Sequence, residues 1–114
     1  MEFDDISEFS KDTSFGMVKI RIMTLENALL IMISDTDSFK IGLSAIAIPP
    51  GKGSSGPTST GLFSMNIDTA LVRTMSERLA VWTNQTCMVI IGLKQMNREI
   101  TLELLKLLRD YLVT

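Results

Sequence analysis

Histidine is absent from the 114 residues, and cysteine occurs once, at Cys87. The first absence removes the commonest general base and the commonest metal ligand together. Ser-His-Asp and Cys-His arrangements cannot be built from this chain. A zinc site needs several Cys or His ligands, and one thiol does not supply them. A single cysteine also forms no internal disulfide, which fits a reducing compartment. Positive charge is not in excess either: the formal net charge is −2. Lys19, Arg21, Lys40, Arg73, Lys94, Arg98 and Lys106 are scattered among acids rather than gathered into a stripe. That disfavours a nucleic-acid reader and a polybasic membrane binder. The apolar runs are interrupted well before the ~20 residues of a membrane span. The start, Met1-Glu2-Phe3-Asp4-Asp5, is acidic where a signal peptide is basic. The expectation is a cytoplasmic or nuclear protein.

What chemistry remains is weak. Gly51-Lys52-Gly53-Ser54-Ser55-Gly56 invites comparison with a phosphate-cradling loop. The required spacing is G-x-x-x-x-G-K-[ST] running into a helix, and neither the spacing nor the flanks match. The carboxylate pairs Asp35 with Asp37 and Asp4 with Asp5 lie in turn-like or terminal segments, where turn formation explains them. Cys87 lies in the apolar run Thr86-Cys87-Met88-Val89-Ile90, where burial leaves a thiol protonated and inert. No cofactor, no metal and no catalytic residue is expected.

What is present is a core. Hydrophobic residues make up 46% of the chain, enough for one compact domain of this length. Residues 1–14 carry five acids and isolated hydrophobes and read as a flexible N-terminal arm. From 15 onward Val18, Ile20 and Ile22 alternate with Lys19, Arg21 and Met23, a strand with one wet face. Residues 28–34 form a continuous apolar run, a strand buried on both sides. Residues 39–48 read as a third strand, and the three suggest an antiparallel meander. All three prolines and four of the seven glycines fall within 49–61, which reads as a long mobile loop with a possible short strand at 58–63. Asn66 or Asp68 can cap a helix in which Leu71, Val72, Met75, Leu79 and Trp82 share a face. Asn84 can end it in the left-handed region. Residues 86–93 form another two-sided apolar strand. Asn97 opens a last helix with Ile100, Leu104, Leu107, Leu108 and Tyr111 in one stripe, widened by Leu102, Leu105 and Leu112. The expected fold is α+β: an antiparallel sheet of five to six strands with two helices packed on one face.

This architecture leaves apolar surface uncovered. Two helices ~10 Å wide shelter about four strands spaced ~4.8 Å apart, and on one side only. Strands 28–34 and 86–93 are apolar on both sides, so one face needs a cover from outside the chain. An obligate dimer half is the expectation. Leu30, Met32, Met88 and Ile90 share the parity assigned to the partner face, with the opposite parity nearly as well supported. The eight methionines suit core filling or an adaptable partner surface. Arg73, Glu77 and Arg78 read as exposed helix charges available to a client, or simply as a solvated face.

Short motifs add a resemblance. Pro57-Thr58-Ser59-Thr60-Gly61-Leu62-Phe63 is similar to a P-x-S-T-x-L segment of the proteasome assembly chaperone 4 family. Asp68, then Ser76-Glu77-Arg78-Leu79-Ala80 and Thr83-Asn84, resemble that family's S/T-x-R-L-A-x-x-T-N helix end. Ala45-Ile46-Ala47 is similar to its third strand, and the resemblance extends over roughly 15–112. The loop 51–56 departs from the pattern, being longer and less apolar. The resemblance implies a chaperone-like domain over 15–114 that pairs with an assembly chaperone 3-like subunit. It also implies that the pair binds alpha-type subunits of the 20S proteasome and promotes formation of the alpha ring, without cofactor or catalytic residue. Two other readings stay open: a small dimeric scaffold or adaptor subunit of a trafficking complex, and a small-molecule binder with 49–61 as lid.

Overall fold

The computed structural model of the chain describes residues 5–51, 55–62 and 67–113. Six strands and two helices follow in the order β1 (Ile6–Thr13), β2 (Gly16–Thr24), β3 (Ala28–Ser34), β4 (Leu43–Ile48), β5 (Thr58–Leu62), α1 (Ile67–Thr83), β6 (Thr86–Gly92) and α2 (Arg98–Leu112). The strands form one sheet in the order β1-β2-β3-β6-β4-β5. All pairs are antiparallel except β3 with β6. The fold is α+β, with both helices on one face.

That face holds the core. Val18, Ile20 and Ile22 of β2, Leu29, Ile31 and Ile33 of β3, Val89 and Ile91 of β6, and Ala45 and Ala47 of β4 are buried in one cluster. Val72, Met75 and Leu79 of α1 and Ile100, Leu104 and Leu108 of α2 cover them. Alternation explains the strands and 3.6-residue spacing the helices. Asn84 ends α1 with φ 55°, the left-handed conformation an Asn tolerates. Asn97 caps α2: its side-chain oxygen accepts from the Ile100 N–H at 2.8 Å. The Arg109 guanidinium lies 5.5 Å from the centre of the Trp82 ring and ties the two helices together.

Three expectations change. The meander is interrupted, because β6 stands between β3 and β4. A strand apolar on both sides belongs in the middle of a sheet, and periodicity alone does not name its neighbours. The stretch 39–42 is a connection that passes the end of β6, so the strand begins at Leu43. The arm is also a strand over most of its length: Ile6–Thr13 pairs residue by residue with β2. The hairpin turns through Ser14-Phe15 into Gly16, whose φ of 123° disfavours any side chain. Glu103 of α2 accepts from the Ser14 backbone N–H at 2.7 Å and from its hydroxyl. Phe9 stacks on Tyr111 with ring centres 4.5 Å apart. Residues 1–4 of the expected arm lie outside the described residues, as do 52–54 of the expected mobile loop and Asn66, one of the two proposed caps. Asp68, the other, lies inside the first turn of α1.

Candidate functional site: an uncovered sheet face

Strand alternation sends every second residue to the face away from the helices. On that face the registers align side chains in rows across the sheet. One row runs Ile6, Met23, Leu30, Met88, Ile46, Thr60, so five of its six positions are apolar. The next runs Glu8, Arg21, Met32, Ile90, Ser44, Leu62. The four residues assigned to this parity are therefore neighbours: Leu30 pairs with Met88 and Met32 with Ile90. Leu30, Met32 and Met88 are half-buried, while Ile90 is 6% exposed. Ile46 and Ile48 stand out to solvent at 37% and 56%. Met23, Ile46, Ile48, Ile6 and Leu62 extend the surface beyond the residues that sequence reasoning singled out. The alternation Ser44, Ile46, Ile48 carried that signal, but only the pairing with β6 attaches it to the other residues.

The apolar surface has a charged corner. Glu8 accepts from Arg21 through Nη2 at 2.7 Å and Nε at 2.8 Å, and lies 3.2 Å from Lys19 Nζ. These bonds, Arg21's first and Lys19's second, hold the Glu8 carboxyl below the usual range. The ring of Phe39, from the connection after β3, lies 4.7 Å from the Arg21 guanidinium carbon. Lys40 in the same connection lies over Gly92. One end of the face is thus bounded by this segment, and the apolar row is left open.

The α1 charges divide. Arg73 donates from Nε to Ser59 Oγ at 3.1 Å, and Glu77 accepts from the same hydroxyl. Both residues therefore fasten edge strand β5 to the helix. Gly61, beside them, admits no side chain: a Cβ there would fall on the Thr69 methyl. Arg78 is exposed next to Val81 and Trp82 in a shallow hollow. Of the three charges expected to be exposed, Arg73 and Arg78 are and Glu77 is half-buried, and Arg73 and Glu77 are also tied to β5.

The remaining candidate chemistry is occupied by structure. Cys87 is buried, which pushes its thiol up, partly offset by the Thr83 hydroxyl at 3.5 Å. Asp35 Oδ2 accepts from the Lys94 N–H at 3.0 Å, which closes the turn after β3 against that after β6. Among the described residues, no three of His, Cys, Asp and Glu lie together as a metal site. No described helix is long and apolar enough to cross a membrane. Of the loop compared with a phosphate cradle, Lys52, Gly53 and Ser54 lie outside the described residues.

The chain is a two-layer α+β module, with one sheet face covered by both helices and the other carrying an apolar row that no helix covers. Neither the known family models nor the curated protein sequences match the chain. Among solved structures it is similar to a chain in the crystal structure of a novel chaperone complex for yeast 20S proteasome assembly. The TM-score is 0.69, with 15% identity over 95% of each chain. The likeness is one of fold, and it covers the sheet and both helices.

Proposed function

We propose that this chain is a subunit of a proteasome assembly chaperone. It pairs with a second, assembly chaperone 3-like subunit across the open sheet face, and the pair binds alpha-type subunits of the 20S proteasome during alpha-ring formation. It acts by binding rather than catalysis, in the cytoplasm or nucleus. The observation that supports this most is the apolar row Ile6, Met23, Leu30, Met88, Ile46 on a fold shared with a proteasome-assembly chaperone complex. Contiguous apolar surface of that kind marks an interaction site in soluble proteins. A second sheet packed ~10 Å away would bury it. The Glu8, Lys19 and Arg21 corner would then form a polar rim that fixes the orientation of the partner.

The test is affinity purification of the tagged chain from cells, followed by identification of bound proteins. Recovery of proteasome alpha-type subunits with a second small chaperone is the expected result. Recovery of trafficking components instead, with no proteasome subunit, would replace this reading with that of an adaptor.

A further inference from the structure

Strand β1 lies at an edge of the sheet, and its backbone groups alternate in direction. The Thr24 N–H donates to the Asp5 carbonyl at 2.8 Å. Asp5 and Thr24 are therefore one of the antiparallel pairs that exchange backbone bonds. Along the register, Ser7, Phe9, Lys11 and Thr13 hold the equivalent position opposite Ile22, Ile20, Val18 and Gly16. On the far side of β2, the Leu25 N–H bonds to Ala28 O, which gives β2 the complementary parity towards β3. Ile6, Glu8, Ser10 and Asp12 consequently turn their N–H and C=O groups outward. Nothing among the described residues pairs with them. An eight-residue edge without Pro is an open template for strand addition.

A groove lies beside this edge. It has a volume of about 460 Å³, between β1 and α2, with Phe9, Leu107 and Tyr111 as its apolar part and Lys106 and Asp110 among its charged residues. A strand added to β1 would project alternate side chains to the helix side, where this groove lies. On the other side it would pass Asp12, which forms no ion pair among the described residues, whereas Glu8 is already matched by Lys19 and Arg21.

We infer that the β1 edge and the β1–α2 groove form a docking site for an extended segment of a partner protein, taken up as a seventh strand. The segment is apolar at alternate positions and basic between them. Main-chain bonds supply affinity in this mode, and pockets for alternate side chains supply specificity. A second copy of this chain fits poorly. The two β1-on-β1 registers of greatest overlap set Asp12 against either Glu8 or Ile6, and like charges or a carboxylate against an aliphatic chain disfavour both.

The test uses an end-blocked eight-residue peptide alternating Lys with Val or Leu, added to the full chain. Amide exchange by NMR is expected to show new protection at Ile6, Glu8, Ser10 and Asp12 when the peptide is bound. Ser10→Pro removes an outward donor and leaves the β2 ladder intact. It should weaken binding on the order of tenfold with little change in Tm. Tyr111→Ala should weaken it as well, through the groove. The inference is overturned if the peptide does not bind, or if it binds without protecting those four amides. Equal binding by Ser10→Pro overturns it too. So does protection of the four amides in peptide-free chain that sediments as a dimer, since a second copy would then be the occupant. None of these results bears on the open face, where Leu30 and Met88 report separately.

Discussion

Replacing Met88 by aspartate would separate the folding of this chain from the pairing proposed for it. Met88 sits in the middle of the open face with Leu30 on one side and Ile46 on the other. In the chain alone the side chain is half-buried, and its cross-strand contacts contribute roughly 0.2–1 kcal/mol each. Losing them costs about 1 kcal/mol and lowers Tm by roughly 5 °C for a domain of this size. With a second sheet packed over the row, the new carboxylate would be buried without a partner, at a cost of about 3–5 kcal/mol. At 1.4 kcal/mol per decade, the dissociation constant for the second subunit rises by roughly two to three and a half orders of magnitude. Val81→Asp, on the exposed face of α1, adds the same charge away from the sheet and should leave pairing unchanged. Sedimentation of the co-purified subunits and thermal melting of the chain alone measure the two effects. If Met88→Asp pairs as tightly as the parent while Val81→Asp does not, the face has been assigned wrongly.

Three further outcomes follow from the packing. Asn97→Ala removes the cap that accepts the Ile100 N–H and should destabilise by about 1 kcal/mol in urea unfolding, whereas Asn97→Ser or Asn97→Asp should retain most of that. Gly61→Val drives a side chain into Thr69 and the stem of Arg73, so α1 and β5 must separate locally; faster amide exchange across Thr58–Leu62, with β2 and β3 unaffected, is the expected readout. Glu8 is held below its ordinary pKa by Arg21 and Lys19, and Glu103 by the Ser14 hydroxyl and N–H. The folded state thus binds these protons less readily than the unfolded one. The contribution is full above the ordinary carboxylate value of about 4.3 and is lost as pH falls through the depressed folded values. Glu8→Gln should flatten the acid limb of Tm against pH and leave the neutral region nearly unchanged.

Much of the fold was legible because it rests on local patterns. Val18, Ile20 and Ile22 alternate, Leu71 to Trp82 recur at helical spacing, and Asn84 and Asn97 mark helix ends with the side chain each end requires. Strand β1 was not legible. An edge strand needs apolar cover on one side only, and here Phe9 is the sole large apolar residue on the helix side among Ser7, Lys11 and Thr13. Pairing order was hidden for a different reason: the two-sided apolar run of β6 says central and nothing about which strands flank it. Leu102, expected within the α2 stripe, is 52% exposed, because one more leucine on a leucine-rich helix changes no period. For the candidate site, Leu30, Met32, Met88 and Ile90 could be grouped by parity, but the choice between parities depended on which side the helices chose. Arg73 and Glu77 gave no hint of Ser59, which lies 14 and 18 positions away in the chain and meets them only once β5 is paired.

The most direct test of the uncovered face uses the methionine methyl groups already placed on it. Met23, Met32 and Met88 lie on the open side, and Met75 of α1 is fully buried in the core between helix and sheet. Methyl NMR with a soluble paramagnetic agent, recorded for the chain alone and with the proposed second subunit co-expressed, reads their accessibility. Loss of relaxation enhancement at Met23, Met32 and Met88 on pairing, with Met75 silent throughout, is the predicted result. Enhancement of those three methyls that persists unchanged in the complex would contradict it.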